Sequence, residues 1–425
     1  MMKLLLLLLV ATSCALDLSL LLSNFTRDGY AVLPEFSSSA ELAGMRAKIE
    51  GLKTITGYWS SERRRKALKQ KGLPRKVAPM VSKNKVQPKR SKDAEEWVAT
   101  DECEEDVINL DEEVINLDDD DVINLDDEAL ATTTTKEAVI FRTDEKQTEA
   151  QSNSKYFFQS ASRVHFFEEQ DGKTLNKAGH GLHLNFDVFG DYTKSSRIAE
   201  VLTALKFEAP VVPQSMYIFK SRHSGGPVTP HQDGTFLRTF PTQTVVGLWL
   251  AIDDATLDNG CLWVRKGSHV EPLRRYFVRE TIDSDDCDLD TKVKMRFDKV
   301  ENSDTSAYLD QRWLPPSKRE KINAPWEGVD LDADSATQHG FVPVPVAAGS
   351  LVILAGTLDH MSLNNTSDDD RHTFQLHVVE AHDHQWAASN WLQYNDTNGD
   401  QLRRRRRVDF LPIKTNIPAT TTSEL

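Results

Sequence analysis

A chain of 425 residues, 39% hydrophobic and 27% charged, can bury one large core or two modest ones. Its formal net charge of −14 argues against nucleic-acid binding by the surface as a whole. The four cysteines (Cys14, Cys103, Cys261 and Cys287) form no CxxC pair and no zinc-finger spacing, which argues against a disulfide framework or a structural zinc site.

The chain opens with a signal-peptide-like leader over residues 1–15. Lys3 precedes an apolar run at residues 4–10, and Ser13-Cys14-Ala15 offers a cleavage point. The run is too short for a stable membrane span. Residues 16–58 read as the N-terminal part of the main domain. There, "DGYAVLPEF" predicts a turn and a short strand, and "SSSAELAGMRAKIEGL" predicts a helix with a serine cap near Ser39.

Residues 59–137 differ in kind. Residues 61–92 hold thirteen Lys/Arg, and residues 93–128 hold eighteen Asp/Glu with no Lys or Arg. Like-charge blocks cannot collapse onto a core, so the stretch reads as a disordered insertion. Its acidic half repeats "VINLD" from Val107, Val114 and Val122. Such a run flanked by acids suits strand addition to a partner's sheet edge and resembles a SUMO-interacting motif. A low-complexity expansion whose charge blocks pair with each other is preferred, because a nuclear module conflicts with a secretory leader. The leader favours the secretory pathway or an organelle, with cytoplasm or nucleus as alternatives.

Residues 138–400 read as the main domain. "PVVPQSMYIF", "QTVVGLWLAI", "GCLWVRKG", "GSLVILAG" and "HTFQLHVVEA" are β-rich runs separated by Gly, Asp, Asn and Pro, with few helical patterns after residue 210. That predicts a mainly β fold with flanking helices, a sandwich or jelly roll. Residues 283–335 are charged and weakly patterned and read as an insertion between strands. Residues 401–425, with arginines at 403–407, read as a basic, flexible tail.

One constellation carries chemistry. In extended backbone His231 and Asp233 point to the same side, and His360 ends another apolar strand. Two histidines and one carboxylate on one face form the triad of non-haem Fe(II) oxygenases. With 12 histidines in the chain, about one HxD triplet is expected by chance, so the triplet alone is weak. Arg371, eleven residues after His360, opens a strand from which a buried guanidinium can clamp a carboxylate. Its alternative is a surface ion pair with Asp368, Asp369 or Asp370.

The segments "QSMYIFKSRHSGGPVTPHQDGTFL", "GLWLAIDDATLDNGCLWVRKGSH", "GSLVILAGTLDHMSLNN", "LNKAGHGLH", "DGYAVLPEF" and "NWLQ" together resemble the phytanoyl-CoA dioxygenase family, most of all its domain-containing branch. The likeness covers residues 18–56, about 138–282 and 340–395. It implies a double-stranded β-helix (cupin-like jelly roll) holding Fe(II) on His231, Asp233 and His360. It also implies 2-oxoglutarate as cosubstrate, with its C5 carboxylate on Arg371 and Ser362, and O2 as oxidant, ascorbate being supportive. Lys177, Met216, Gln232 and Trp249 match positions lining the cosubstrate pocket. Trp249 reads equally as core, and Lys177 as an exposed lysine. Retention of Asp233 favours hydroxylation of a small-molecule or acyl substrate over halogenation, with release of succinate and CO2. The rivals are a catalytically silent jelly-roll binding module and an interaction protein acting through the VINLD repeats.

Overall fold

The computed structural model describes residues 18, 20–55, 160–281, 293–301, 303–314, 322–393 and 410–415. The expectations for the leader, the 59–137 insertion with its VINLD repeats, and the arginine run at 403–407 fall outside the described residues. The chain divides into two compact units, residues 1–48 with 134–425, and residues 49–133. The second is described only over the end of one helix. Among the described residues no helix is long and apolar enough to cross a membrane.

Helix α1 (Leu21–Asp28) buries Leu21 and Phe25 and ends on Gly29. Gly29 adopts φ 83°, a left-handed cap that closes on the Phe25 carbonyl at 2.8 Å. A Cβ there would sit 2.6 Å from His269 Nδ1, so glycine is required on both counts. β1 (Tyr30–Leu33) follows directly, then α2 (Ser39–Ile55). The cap of α2 lies one residue before the expected Ser39. Ser38 Oγ accepts from Glu41 N at 3.3 Å, while Glu41 Oε2 accepts from Ser38 N at 2.8 Å, a reciprocal capping box.

The remaining elements are strands with short helices between them. In chain order the strands are β2 (Val164–Glu168), β3 (Leu175–His180), β4 (Pro210–Lys220), β5 (Val228–His231), β6 (Thr239–Phe240), β7 (Val246–Ala251), β8 (Leu262–Arg265) and β9 (Arg275–Thr281). Next come β10 (Val293–Lys299), β11 (Phe341–Val344), β12 (Leu351–Ala355), β13 (His360–Ser362), β14 (Arg371–Glu380), β15 (Gln385–Trp386) and β16 (Leu411–Pro412). Helices Leu182–Asn185, Asp187–Thr193 and Ser196–Ala204 fill the interval between β3 and β4.

The larger sheet runs β1-β12-β7-β14-β4-β3-β2, with β16 beside β4, and the smaller runs β11-β8-β13-β5. From β4 onward the principal strands alternate between the two sheets, except that β8 and β11 pair within one. That is the winding of a double-stranded β-helix, the jelly roll expected from the sequence. β7 and β12 are buried at every residue, so their apolar runs are continuous rather than alternating.

The 283–335 segment is more ordered than its composition suggests. It contributes β10, which pairs along its whole length with β9, and Trp313, which is fully buried. Trp313 packs at a tilt 5.0 Å from Phe207 and edge-to-face 6.0 Å from Phe25, centroid to centroid, and its indole N–H donates to the Leu205 carbonyl at 2.6 Å. Met295 and Phe297 alternate with charged residues, the period-two pattern of a half-buried strand, and pack beside Phe277 in a core shared with Trp391.

Candidate metal and cosubstrate site

β5 ends on His231. Gln232 continues the extended backbone (φ −115°, ψ 128°), so Asp233 returns to the side of His231. His360 opens β13 directly opposite His231, which sets the two imidazoles 4.3 Å apart, centroid to centroid. One donor atom from each of His231, Asp233 and His360 falls within 4.8 Å of the others. Asp233 Oδ1 lies 3.5 Å from His231 Nε2 and 3.6 Å from His360 Nε2.

Backbone carbonyls fix the tautomers. His231 Nδ1 donates to Thr229 O at 2.8 Å and His360 Nδ1 to Leu358 O at 3.1 Å. With the protons on Nδ1, both Nε2 lone pairs face the same point. Burial pushes His360 down to about 4, so its imidazole is neutral at pH 7. For Asp233 burial works the other way. Attraction to His360 and His377, with a hydrogen bond from His377, still holds it well below the ordinary carboxylate range. Two imidazoles and one carboxylate, converging from one side, fit a divalent transition metal with open coordination positions.

The donors open on a cavity of about 100 Å³. Across it lies Arg371 at the start of β14, only 2% exposed. Its Nη2 donates to Gly260 O at 2.8 Å, and the guanidinium stands 5.5 Å from the Trp249 ring centroid. Its Nε has no hydrogen-bond partner among the described residues. Burial lowers Arg371 to about 10, which still leaves it protonated at pH 7. The surface-ion-pair alternative is overturned: Asp370 accepts from Arg222, and Asp368 meets His223. A buried cation with an unused N–H is costly unless a ligand supplies the charge, and Ser362 lines the same cavity. The residues therefore fit an anionic carboxylate ligand at this end and a metal at the other.

Lys177, Met216 and Trp249 also line the cavity. Lys177 is buried rather than exposed, and burial holds its ammonium well below the usual lysine range. Its Nζ lies 3.8 Å from Met216 Sδ. Gln232 is the exception. The alternation that aims His231 and Asp233 inward turns Gln232 away, and its Nε2 donates instead to Thr357 O at 2.8 Å. It staples the HxD turn to the loop that leads into His360, as does Gly234 N on Gly356 O at 2.8 Å.

The sequence reading missed Asn176, Gln375 and His377, all of which line the cavity. Gln375 and His377 lie four and six residues after Arg371 in one strand, so even spacing carried the signal. A wider vestibule of about 540 Å³ shares Asn176 and Val228 with the inner cavity, and Glu169, Asp171 and Asp330 stand on its rim.

Comparison with known proteins adds a family. The profile described as phytanoyl-CoA dioxygenase matches residues 25–373. The Arabidopsis thaliana phytanoyl-CoA dioxygenase is 37% identical over 250 residues, 56% of this chain and 73% of that protein. The Rattus norvegicus phytanoyl-CoA dioxygenase domain-containing protein 1 is 34% identical over 262 residues, 59% of this chain and 77% of the relative. Among solved structures, the epimerase SnoN with Fe3+ and alpha ketoglutarate aligns over 94% of this chain and 96% of its own, at 12% identity and a TM-score of 0.45.

Proposed function

From the premise that this chain belongs to the phytanoyl-CoA dioxygenase family, and is a dioxygenase of that kind, we propose that it hydroxylates a small organic or acyl substrate. His231, Asp233 and His360 hold Fe(II), and Arg371 with Ser362 anchors 2-oxoglutarate. The observation that carries this reading is the pairing of a three-donor cluster with a buried, incompletely bonded guanidinium across one small cavity.

When bound, iron and 2-oxoglutarate would activate O2, one oxygen atom entering the substrate C–H bond as hydroxyl and the other entering the succinate that leaves with CO2. The protein's part is geometric and electrostatic. Thr229 and Leu358 carbonyls hold the imidazoles in the ligating tautomer. Arg371 supplies a fixed positive charge that is 2% exposed, so its attraction for a carboxylate is less screened than at the surface. Trp249 beneath the guanidinium and Gly260 O beside it fix its plane. Leu248, Leu262 and Leu354 line the cavity with apolar surface.

The test is succinate formation from 2-oxoglutarate by purified protein with Fe(II) and ascorbate under air, without added substrate. Slow uncoupled turnover is expected, and it should vanish in His231→Ala and in Asp233→Ala. Turnover persisting at the wild-type rate in either purified variant would sink the assignment.

A further inference from the structure

A buried polar chain adjoins the donor cluster and runs from the cavity wall into the larger sheet. Asp233 offers Oδ1 to the point shared with His231 and His360. Its other oxygen, Oδ2, faces β14, where His377 Nε2 stands 3.2 Å away. The far nitrogen of that ring, Nδ1, lies 2.8 Å from Gln214 Nε2 on β4. Gln214, His377 and Asp233 are each buried. Register keeps the three aligned: His377 pairs with Gln214 on one side and with Gly247 of β7 on the other. Gly247 leaves the room, since a Cβ there would stand 3.1 Å from Asp233 Oδ2.

The direction of the chain follows from charge. An ionised carboxylate only accepts hydrogen bonds, so the nitrogen facing Oδ2 must carry a proton. A neutral ring with its proton on Nε2 has a lone pair on Nδ1, which the Gln214 amide N–H fills. The amide nitrogen can only donate, whereas the amide oxygen in its place would set two acceptors against each other at Nδ1. Gln214 therefore selects the tautomer of His377 that Asp233 needs.

We infer that Gln214 and His377 act as a positioning pair for the metal carboxylate. His377 engages Oδ2, which would leave Oδ1 of Asp233 as the oxygen offered to a metal held with His231 and His360. This inference rests on the reading of His231, Asp233 and His360 as metal ligands. Partners of this sort around ligating groups typically change metal affinity about 10- to 100-fold when removed.

The experiment is calorimetric titration of the metal-free full-length protein with Co(II), without 2-oxoglutarate, alongside thermal unfolding of the same metal-free samples. Wild-type protein should bind one Co(II). His377→Phe, which keeps the ring but loses the donor, should weaken Co(II) about 10- to 100-fold. His377→Gln places an amide N–H near the position of Nε2 and should recover most of that loss. Gln214→Leu should fall between, because an unfixed ring spends part of its time in the wrong tautomer. A purely structural role would lower the unfolding temperature of all three variants and leave no ordering in Co(II) affinity. Equal affinity in His377→Phe and wild type overturns the inference, as does a His377→Gln protein as weak as His377→Phe. If His377→Phe fails to fold, Gln214→Leu decides: affinity within twofold of wild type overturns the inference. Failure of wild-type protein itself to bind Co(II) would instead bring down the metal-site reading beneath it.

Discussion

At the scale of single residues, the site works by leaving particular atoms unsatisfied. Arg371 has a buried guanidinium with one N–H unpartnered, and His231 and His360 have their protons drawn to backbone carbonyls, which turns two bare Nε2 lone pairs towards Asp233. Each arrangement is costly by itself and favourable once a ligand of opposite character arrives. Arg371→Lys keeps the charge but loses the planar fork. Losing a charge-assisted hydrogen bond costs about 1.5–3 kcal/mol, so KM for 2-oxoglutarate should rise by roughly one to two orders of magnitude. Metal affinity without cosubstrate should stay unchanged. Initial-rate succinate assays with a parallel Co(II) titration check both halves, and an unaltered KM would remove Arg371 from the anchoring role.

At the scale of elements, period-two alternation explains what the sequence showed and what it hid. The HxD spacing is visible because both chemical groups lie on one side of one short segment. By the same rule Gln232 had to point elsewhere, and His377 had to share the face of Arg371. Even spacing from Arg371 was available in "RHTFQLH" before any coordinates. Trp313 makes the opposite case: nothing in its charged surroundings marks it as core, yet it is fully enclosed between α1 and the segment after helix Ser196–Ala204. Truncating a buried tryptophan costs about 3–5 kcal/mol. Trp313→Ala should show that loss in urea unfolding, whereas a loss under 1 kcal/mol would make residues 311–313 peripheral to the fold.

At the scale of the whole molecule, global stability should depend on pH through buried imidazoles outside the site. His183 is enclosed, with its Nε2 donating to Val212 O at 3.2 Å and its Nδ1 accepting from Ser215 Oγ at 2.8 Å. Burial pushes it down from 6.5 to about 4, against a smaller upward pull from the Val212 carbonyl. Above pH 6.5 neither the folded nor the unfolded chain protonates this ring, and its contribution is flat. As pH falls from 6.5 towards 4, only the unfolded chain takes up the proton, so stability drops. The slope is about 1.4 kcal/mol per unit, on the order of 2 kcal/mol by pH 5. Urea unfolding at pH 7.5 and pH 5.0 should show a smaller drop for His183→Gln than for wild type, and equal drops would place the ring's titration elsewhere.

The amino-acid sequence by itself pointed to the fold class, to the cluster of His231, Asp233 and His360, and to a buried guanidinium at Arg371. Strand alternation, residue chemistry and the resemblance are local properties that survive without coordinates. Tertiary structure alone decided which groups share the cavity from different strands. The opposition of His231 and His360, the approach of His377 to Asp233, and the stacking of Arg371 on Trp249 depend on cross-strand register. It also decided that Lys177 is buried and that the 283–335 segment supplies core. Burial is a property of what lies across the cavity or the sheet, and a linear chain records only what lies beside.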